Sequence, residues 1–183
     1  MKLSEHKDLK VEILALPQKE KDKLLLRLVA KDKVLTEHLH YLLLEDETNL
    51  SERVAVIKQE ISTTAKNLAT AKDVQVNLRK QLKLINHFFK VTKANFEEVE
   101  LRIFLLNYTT TEFKSKIFSS FKNYEQLFAV FFVKSVLATL KKFEKLHDDL
   151  QFDVKEDLNK LLSKTFSKSM AAIASDLGLP KQL

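Results

Sequence analysis

The scarcity of glycine and proline is the strongest constraint on how this chain folds. Its 183 residues include one glycine and two prolines. Hairpins and tight turns depend on these two residue types, whereas helix interiors exclude them. The sequence therefore predicts an all-α protein, an irregular bundle of about seven to eight helices joined by short connections. A short α-helical superhelix is the alternative architecture.

The length and the lack of cysteine limit the domain count and the chemistry. A chain of 183 residues is long enough for one apolar core and short for two, so we expect a single all-helical domain over residues 1–183. The absence of cysteine excludes disulfides, thiolate metal ligands and a cysteine nucleophile, and suits a reducing compartment. Charges recur through the opening MKLSEHKDLKVE, where a secretory signal needs an unbroken apolar run. We expect a cytoplasmic protein.

The most apolar stretch is LFAVFFV, residues 127–133, which is followed by Lys134 and SVLATL. Spanning a bilayer takes about 20 mostly apolar residues, and this stretch reaches only about 14 with a lysine in its middle. The sequence therefore predicts a buried core helix here and no transmembrane segment.

Apolar spacing in the first quarter of the chain predicts three helices, which we expect to end near residues 16, 31 and 45. In the second and third of them, apolar residues recur at the spacing of a helix face that packs against a core. The predicted buried stripes are Leu24, Leu25, Leu28 and Val29 in the second helix, and Leu35, Leu39, Leu42 and Leu43 in the third.

The stretch 52–92 contains neither proline nor glycine, so it forms either one very long helix or two. We expect two, with the break in STTAKNLATAKD, because β-branched and small residues weaken helix formation there. Thr70 and Asp73 have the spacing of a helix N-cap. Three further helices are expected, over 96–108, from a start within 112–124 to about 147, and from about 153 to 177. Asn95 and Glu98 have the spacing of a capping box, and Gly178 lies where a left-handed C-cap is needed.

Two Glu-x-x-His pairs have the spacing with which helical bundles bind a pair of metal ions: Glu37 with His40, and Glu144 with His147. Such sites require every ligand to point inward. At about 100° per residue, Glu37 and His40 fall opposite the leucines of their helix, whereas Glu144 and His147 continue the apolar side of theirs. One inward pair does not make a dinuclear centre. We therefore expect no metal and no other cofactor, with Glu144 and His147 as the remaining candidate ligands.

A basic stripe is the clearest binding signal. Lys72, Arg79, Lys83 and Lys90 align within about 40° around a helix. Residues 51–95 carry nine Lys or Arg and three acidic residues, an excess that equals the formal net charge of +6. Such a face binds an acidic protein, nucleic acid or an anionic surface, or is simply solvated. Phe88 and Phe89 fall on the opposite side of the helix, so no aromatic residue is interleaved among these charges on the stripe, which makes nucleic-acid binding weak at most.

Catalytic motifs are missing from the sequence. One glycine excludes phosphate-binding loops, dinucleotide fingerprints and nucleophile elbows, each of which needs several. We therefore favour a non-catalytic interaction or adaptor module that uses the basic helix face. A metal-binding helical bundle and a weak nucleic-acid-associated protein are the alternatives. Phenylalanines between Phe113 and Phe132 offer a second surface, for a protein partner or for self-association, although core packing explains most of them.

Residues 6–46 carry a pattern of LxLPxxEKDxLLLRL followed by a short leucine-rich helix. In this pattern the stretch resembles the opening of small, all-helical bacterial proteins grouped as families of unknown function. The resemblance covers less than a quarter of the chain. It implies a bacterial, cytosolic α-protein and assigns no functional residue.

Overall fold

A computed structural model describes residues 3–65, 68–113, 123–166 and 170–183. Within these ranges the protein is built from helices and contains no strand, so the predicted all-α bundle is confirmed. A short 3-10 turn, Leu3–Glu5, precedes nine α-helices in the described residues. They are α1 (Lys7–Ala15), α2 (Gln18–Val29), α3 (Lys33–Leu44), α4 (Glu47–Thr64), α5 (Ala71–Thr92), α6 (Asn95–Tyr108), α7 (Tyr124–Phe143), α8 (Asp148–Thr165) and α9 (Ala171–Asp176).

The chain divides into two compact units, Met1–Leu44 and Glu45–Leu183. The single domain over residues 1–183 stays a prediction. Over the described residues, no helix combines the length and the apolar character needed to cross a membrane.

The first unit consists of the three short helices α1, α2 and α3, and none of their residues is buried. Leu25, Leu28, Leu42 and Leu43 are each more than half exposed, so the prediction of two buried leucine stripes is wrong for these positions. Helices of 9 to 12 residues offer too little surface to enclose a core among themselves. Periodicity identified the helices correctly and misjudged their burial.

The second unit is organised around α6, which contacts α4, α5, α7 and α8. Leu101, Ile103, Leu105 and Leu106 are all buried, so apolar residues point outward from α6 in several directions. A helix that is apolar on most of its circumference is stable only when neighbours surround it. The other four helices supply that shell, and the hydrophobic core lies between them and α6.

One acidic residue lies inside this core. Glu98 of α6 is 2 % exposed and accepts hydrogen bonds from Arg102 Nε at 3.0 Å and from Lys142 Nζ of α7 at 2.9 Å. Arg102 in turn donates to Asn86 Oδ1 of α5. The predicted capping box of Asn95 and Glu98 is therefore wrong, because Ala94 is the N-cap of α6 and the Glu98 carboxylate points into the core. The cluster joins α5, α6 and α7 through one carboxylate.

Helices α5 and α7 run parallel to each other with a constant offset. Three contacts pair residues 52 positions apart: Lys72 with Tyr124, Gln75 with Leu127, and Arg79 with Phe131. At the far end, Lys142 Nζ lies 5.1 Å from the ring centroid of Phe89. The two helices therefore stay side by side along most of their length.

Some of the helix ends lie where the sequence predicts them. The predicted break between two helices is confirmed, since α4 ends at Thr64 and Thr70 caps α5 by accepting a hydrogen bond from Asp73 N–H at 3.2 Å. Gly178 is confirmed as a left-handed cap, with φ of 70°. The last predicted helix forms two, α8 and α9, which raises the helix count above the prediction.

We expect Glu98→Ala to lower the free energy of unfolding by about 3–5 kcal/mol, because it leaves the Arg102 guanidinium buried without its carboxylate. Urea denaturation followed by circular dichroism measures this change. Glu100→Ala on the same helix is the matched control, since Glu100 pairs with Lys58 at the surface and its loss costs about 1 kcal/mol or less. Equal losses in the two variants would contradict the structural role assigned to Glu98.

We also expect Lys93→Gly to raise the free energy of unfolding by about 0.5–1 kcal/mol. Lys93 closes α5 with φ of 58°, a left-handed conformation that strains residues with a Cβ and that glycine adopts freely. The same denaturation measurement applies. Lys90→Gly, within the last turn of α5, is the control and is expected to destabilise by about 1 kcal/mol.

Candidate functional site

An open groove runs along the surface between α5 and α7, with a volume of about 920 Å³. We call it the α5–α7 groove. Its α5 side is formed by Lys72, Gln75, Val76 and Arg79. These positions follow one another at steps of three, one and three residues, so they share one face of the helix. The parallel neighbour α7 supplies the other wall.

Four apolar side chains line the groove, and we call them its floor: Val76 from α5, and Leu127, Val130 and Phe131 from α7. Gln75 of the α5 wall is buried and donates to the Leu127 carbonyl oxygen at 3.3 Å. Three cations line the groove, Lys72, Arg79 and Lys134, and no acidic side chain among the described residues does. The groove therefore combines an apolar surface with a positive potential, which favours a ligand that is itself apolar on one side and acidic at its edges.

Two of the cations rest on aromatic rings. Lys72 Nζ lies 5.7 Å from the ring centroid of Tyr124, and the Arg79 guanidinium carbon lies 4.8 Å from that of Phe131. Each such contact is worth about 0.5–1 kcal/mol at an exposed site. The rings already restrict two long, flexible side chains near the groove. A ligand that binds these side chains therefore causes a smaller further loss of their conformational entropy.

The structure brings together two of the four residues of the predicted basic stripe. Lys72 and Arg79 line the α5–α7 groove, whereas Lys83 and Lys90 are exposed on α5 outside it. The binding role of the stripe stays a prediction. The aromatic partners were not predicted from the sequence, because they come from α7, 52 residues later. The one available signal was the shared spacing, since Tyr124 and Phe131 are seven residues apart, as are Lys72 and Arg79.

Most of the predicted aromatic surface is core. Phe128 and Phe132 are buried, and Phe113 packs edge-to-face on Phe128 with ring centroids 5.2 Å apart. Phe131 is partly buried beneath Arg79. Phe118 and Phe121 lie outside the described residues. Of the phenylalanines that the structure describes between 113 and 132, Phe131 alone lines the groove.

The candidate metal ligands lie at the surface. Helix α7 ends at Phe143, not near His147 as predicted, so Glu144 and His147 do not continue its apolar side, and both are exposed. His147 caps α8 instead of the end of α7, with Nδ1 accepting from Asp149 N–H at 3.4 Å. Across the ranges that the structure describes, no group of three or more His, Asp or Glu side chains could hold a metal ion.

Comparison of the chain with protein-family models, with curated proteins and with solved structures finds no match.

Among the described residues, the lysine with the most strongly shifted pKa is Lys164, which does not line the groove. Lys164 of α8 donates to three carbonyl oxygens at the end of α6, those of Leu106, Asn107 and Thr109, at 3.1, 2.7 and 2.5 Å. Burial lowers the pKa of Lys164 to about 8. The last carbonyl groups of a helix lack hydrogen-bond donors within that helix, so the Lys164 ammonium supplies the donors that these three carbonyls need. Lys164 caps α6.

This shift makes stability depend on pH in a defined direction. The folded chain loses the Lys164 proton near pH 8, whereas the unfolded chain retains it to the ordinary lysine pKa of 10.5. Stability contributed by this group therefore rises as the pH increases from 8 to 10.5. We expect the wild type to gain stability relative to Lys164→Met across that window, measured by urea denaturation at several pH values. A difference that stays constant or falls would contradict the lowered pKa.

Proposed function

We propose that this protein is a non-catalytic binding module that holds an acidic, apolar-faced segment of a protein partner in the α5–α7 groove. One observation carries the proposal: Lys72 and Arg79 are positioned by aromatic rings at the edge of an apolar floor. Apolar contact supplies most of the affinity at such a surface, and the cations select the partner. The cytoplasm is the location that we propose for it, in keeping with the cysteine-free sequence.

The two parallel helices that form the groove favour a helical segment. Two parallel helices in constant register present two rows of side chains, and a third helix can lay its own row between them. The α5 wall from Lys72 to Arg79 spans seven residues, or about 10 Å along the helix axis. That length corresponds to about two turns of a bound helix. Acidic residues seven positions apart on the partner would meet both cations.

The aromatic residues favour a protein partner over nucleic acid. Single-stranded nucleic acids bind by stacking their bases on free aromatic faces. In this groove Tyr124 and Phe131 already carry Lys72 and Arg79 on their faces. The rings therefore orient cations in place of stacking bases. The metal-binding alternative has less support, because Glu144 and His147 are both exposed.

A direct binding assay tests the proposal. The probes are a labelled amphipathic peptide of about 20 residues, with glutamates seven positions apart beside a leucine face, and a single-stranded oligothymidine of similar length. At about 0.15 M salt we expect the peptide to bind and the oligonucleotide not to bind, as measured by fluorescence anisotropy. Arg79→Glu is expected to weaken peptide binding at least about tenfold, because it places a negative charge at the edge of the groove.

Lys83→Glu is the matched control, since it makes the same charge change on the same exposed side of α5 outside the groove. We expect it to change the peptide affinity less than about twofold. If the two substitutions weaken peptide binding equally, the peptide is held by general electrostatic attraction, and the groove is rejected as its binding site. Binding of the oligonucleotide in preference to the peptide would support the nucleic-acid alternative instead.

A further inference from the structure

Helix α8 carries on its exposed side the chemical complement of the α5–α7 groove. Asp149, Phe152, Asp153 and Glu156 follow one another at steps of three, one and three residues, so they share one face of α8. All four are exposed. The buried residues Val154 and Leu158 lie on the other side of the helix. The same four-position pattern forms the α5 wall of the groove, with cations at its first and last positions where α8 has acids.

The aromatic residue on this face is not explained by the fold of the chain. Phe152 is 80 % exposed, the largest exposure among the large apolar side chains of the described residues. Leu150, two positions earlier, is 38 % exposed. A phenylalanine in water forgoes the burial that usually makes aromatic residues favourable. An exposed Phe with carboxylates at positions 149, 153 and 156 of the same helix face is the kind of side chain that the basic, apolar-floored groove would accommodate.

The groove and the acidic face of one chain lie apart within the second unit. Lys164, near the end of α8, lies 5.9 Å from the ring centroid of Phe132, a buried core residue that does not line the groove. Helix α8 packs against α6 and α7, and none of the four residues of its acidic face lines the groove. In the folded chain the acidic face of α8 therefore does not occupy the chain's own groove.

We propose that the α5–α7 groove of one copy binds the first half of α8 of a second copy. The inference rests on the proposed function of the groove and names its occupant. Asp149 and Glu156 are seven residues apart, as are Lys72 and Arg79, so both pairs of charges span about 10 Å. Phe152 supplies the apolar contact to the groove floor. Glu156 pairs with Lys160 at 3.0 Å in the free chain, an exposed ion pair that costs little to exchange.

This contact joins two different surfaces, so it is a head-to-tail contact. After the first pairing, one copy keeps an unoccupied groove and the other keeps an unoccupied α8 face. The assembly therefore grows into a ring or an open chain as the protein concentration rises. Because the contact depends on exposed charges, salt weakens it.

The first test is sedimentation equilibrium of the full chain over a range of concentrations up to about 1 mM. We expect an average mass that rises with concentration at about 0.05 M salt and falls towards that of one chain at about 0.5 M salt. A mass that stays at one chain under every condition overturns the proposal.

The second test uses two variants that each keep half of the contact. Arg79→Glu damages the groove and keeps α8, whereas Glu156→Lys damages α8 and keeps the groove. We expect each variant alone to associate at least about tenfold more weakly than the wild type. Mixed together they are expected to form a one-to-one pair and no larger species, because one intact groove then meets one intact α8.

Lys145→Glu and Glu144→Lys are the matched controls, since both make equivalent charge changes at exposed positions outside the groove and outside the acidic face. They are expected to leave association within about twofold of the wild type. Circular dichroism and thermal unfolding of every variant check that the fold is kept. The proposal is overturned if Arg79→Glu and Glu156→Lys leave association unchanged. It is also overturned if the two folded variants fail to pair with each other.

These outcomes separate the two proposals. A wild type that binds the acidic peptide and remains a single chain keeps the groove function and removes its assignment to α8. A wild type that does neither removes both.

Discussion

The buried carboxylate of Glu98 is the interaction on which the arrangement of the second unit depends. It lies in the core, where an unpaired charge would be strongly unfavourable, so Arg102 and Lys142 must both reach it. Arg102 also contacts Asn86 of α5, and Lys142 belongs to α7. One charged group therefore specifies how α5, α6 and α7 align along their axes. Apolar contacts alone would tolerate a shift by one helical turn, whereas a buried ion pair would be broken by it.

That alignment also produces the groove. With α5 and α7 held in parallel, residues with the same seven-residue spacing on the two helices meet in pairs. The cations of one helix then lie on the rings of the other, and the apolar residues between them form the floor. Binding chemistry at the surface thus follows from a constraint in the core, although no residue is shared between the two.

The sequence was sufficient for whatever depends on local rules. The scarcity of glycine and proline predicted helices. Thr70 and Gly178 predicted a start and an end, because caps involve residues only a few positions apart. Long-range properties were not accessible. Glu98 looked like a capping residue because its partner Lys142 is 44 positions away. The leucines of α2 and α3 looked buried because periodicity indicates an apolar face without showing what covers it. Only half of the basic stripe lies in the groove, because the position of α7 decides which basic residues of α5 line it. The sequence of α5 alone does not contain that information.

The parallel direction of α5 and α7 has a consequence for any helix that binds between them. Both helices begin at the same end of the groove, near Lys72 and Tyr124, so the partial positive charges of two helix amino ends add to the side-chain charge there. A bound helix has its own partial negative charge at its carboxyl end. The groove therefore distinguishes the two directions in which a helix can lie, and it favours the antiparallel one, in which the carboxyl end of the bound helix lies beside Lys72.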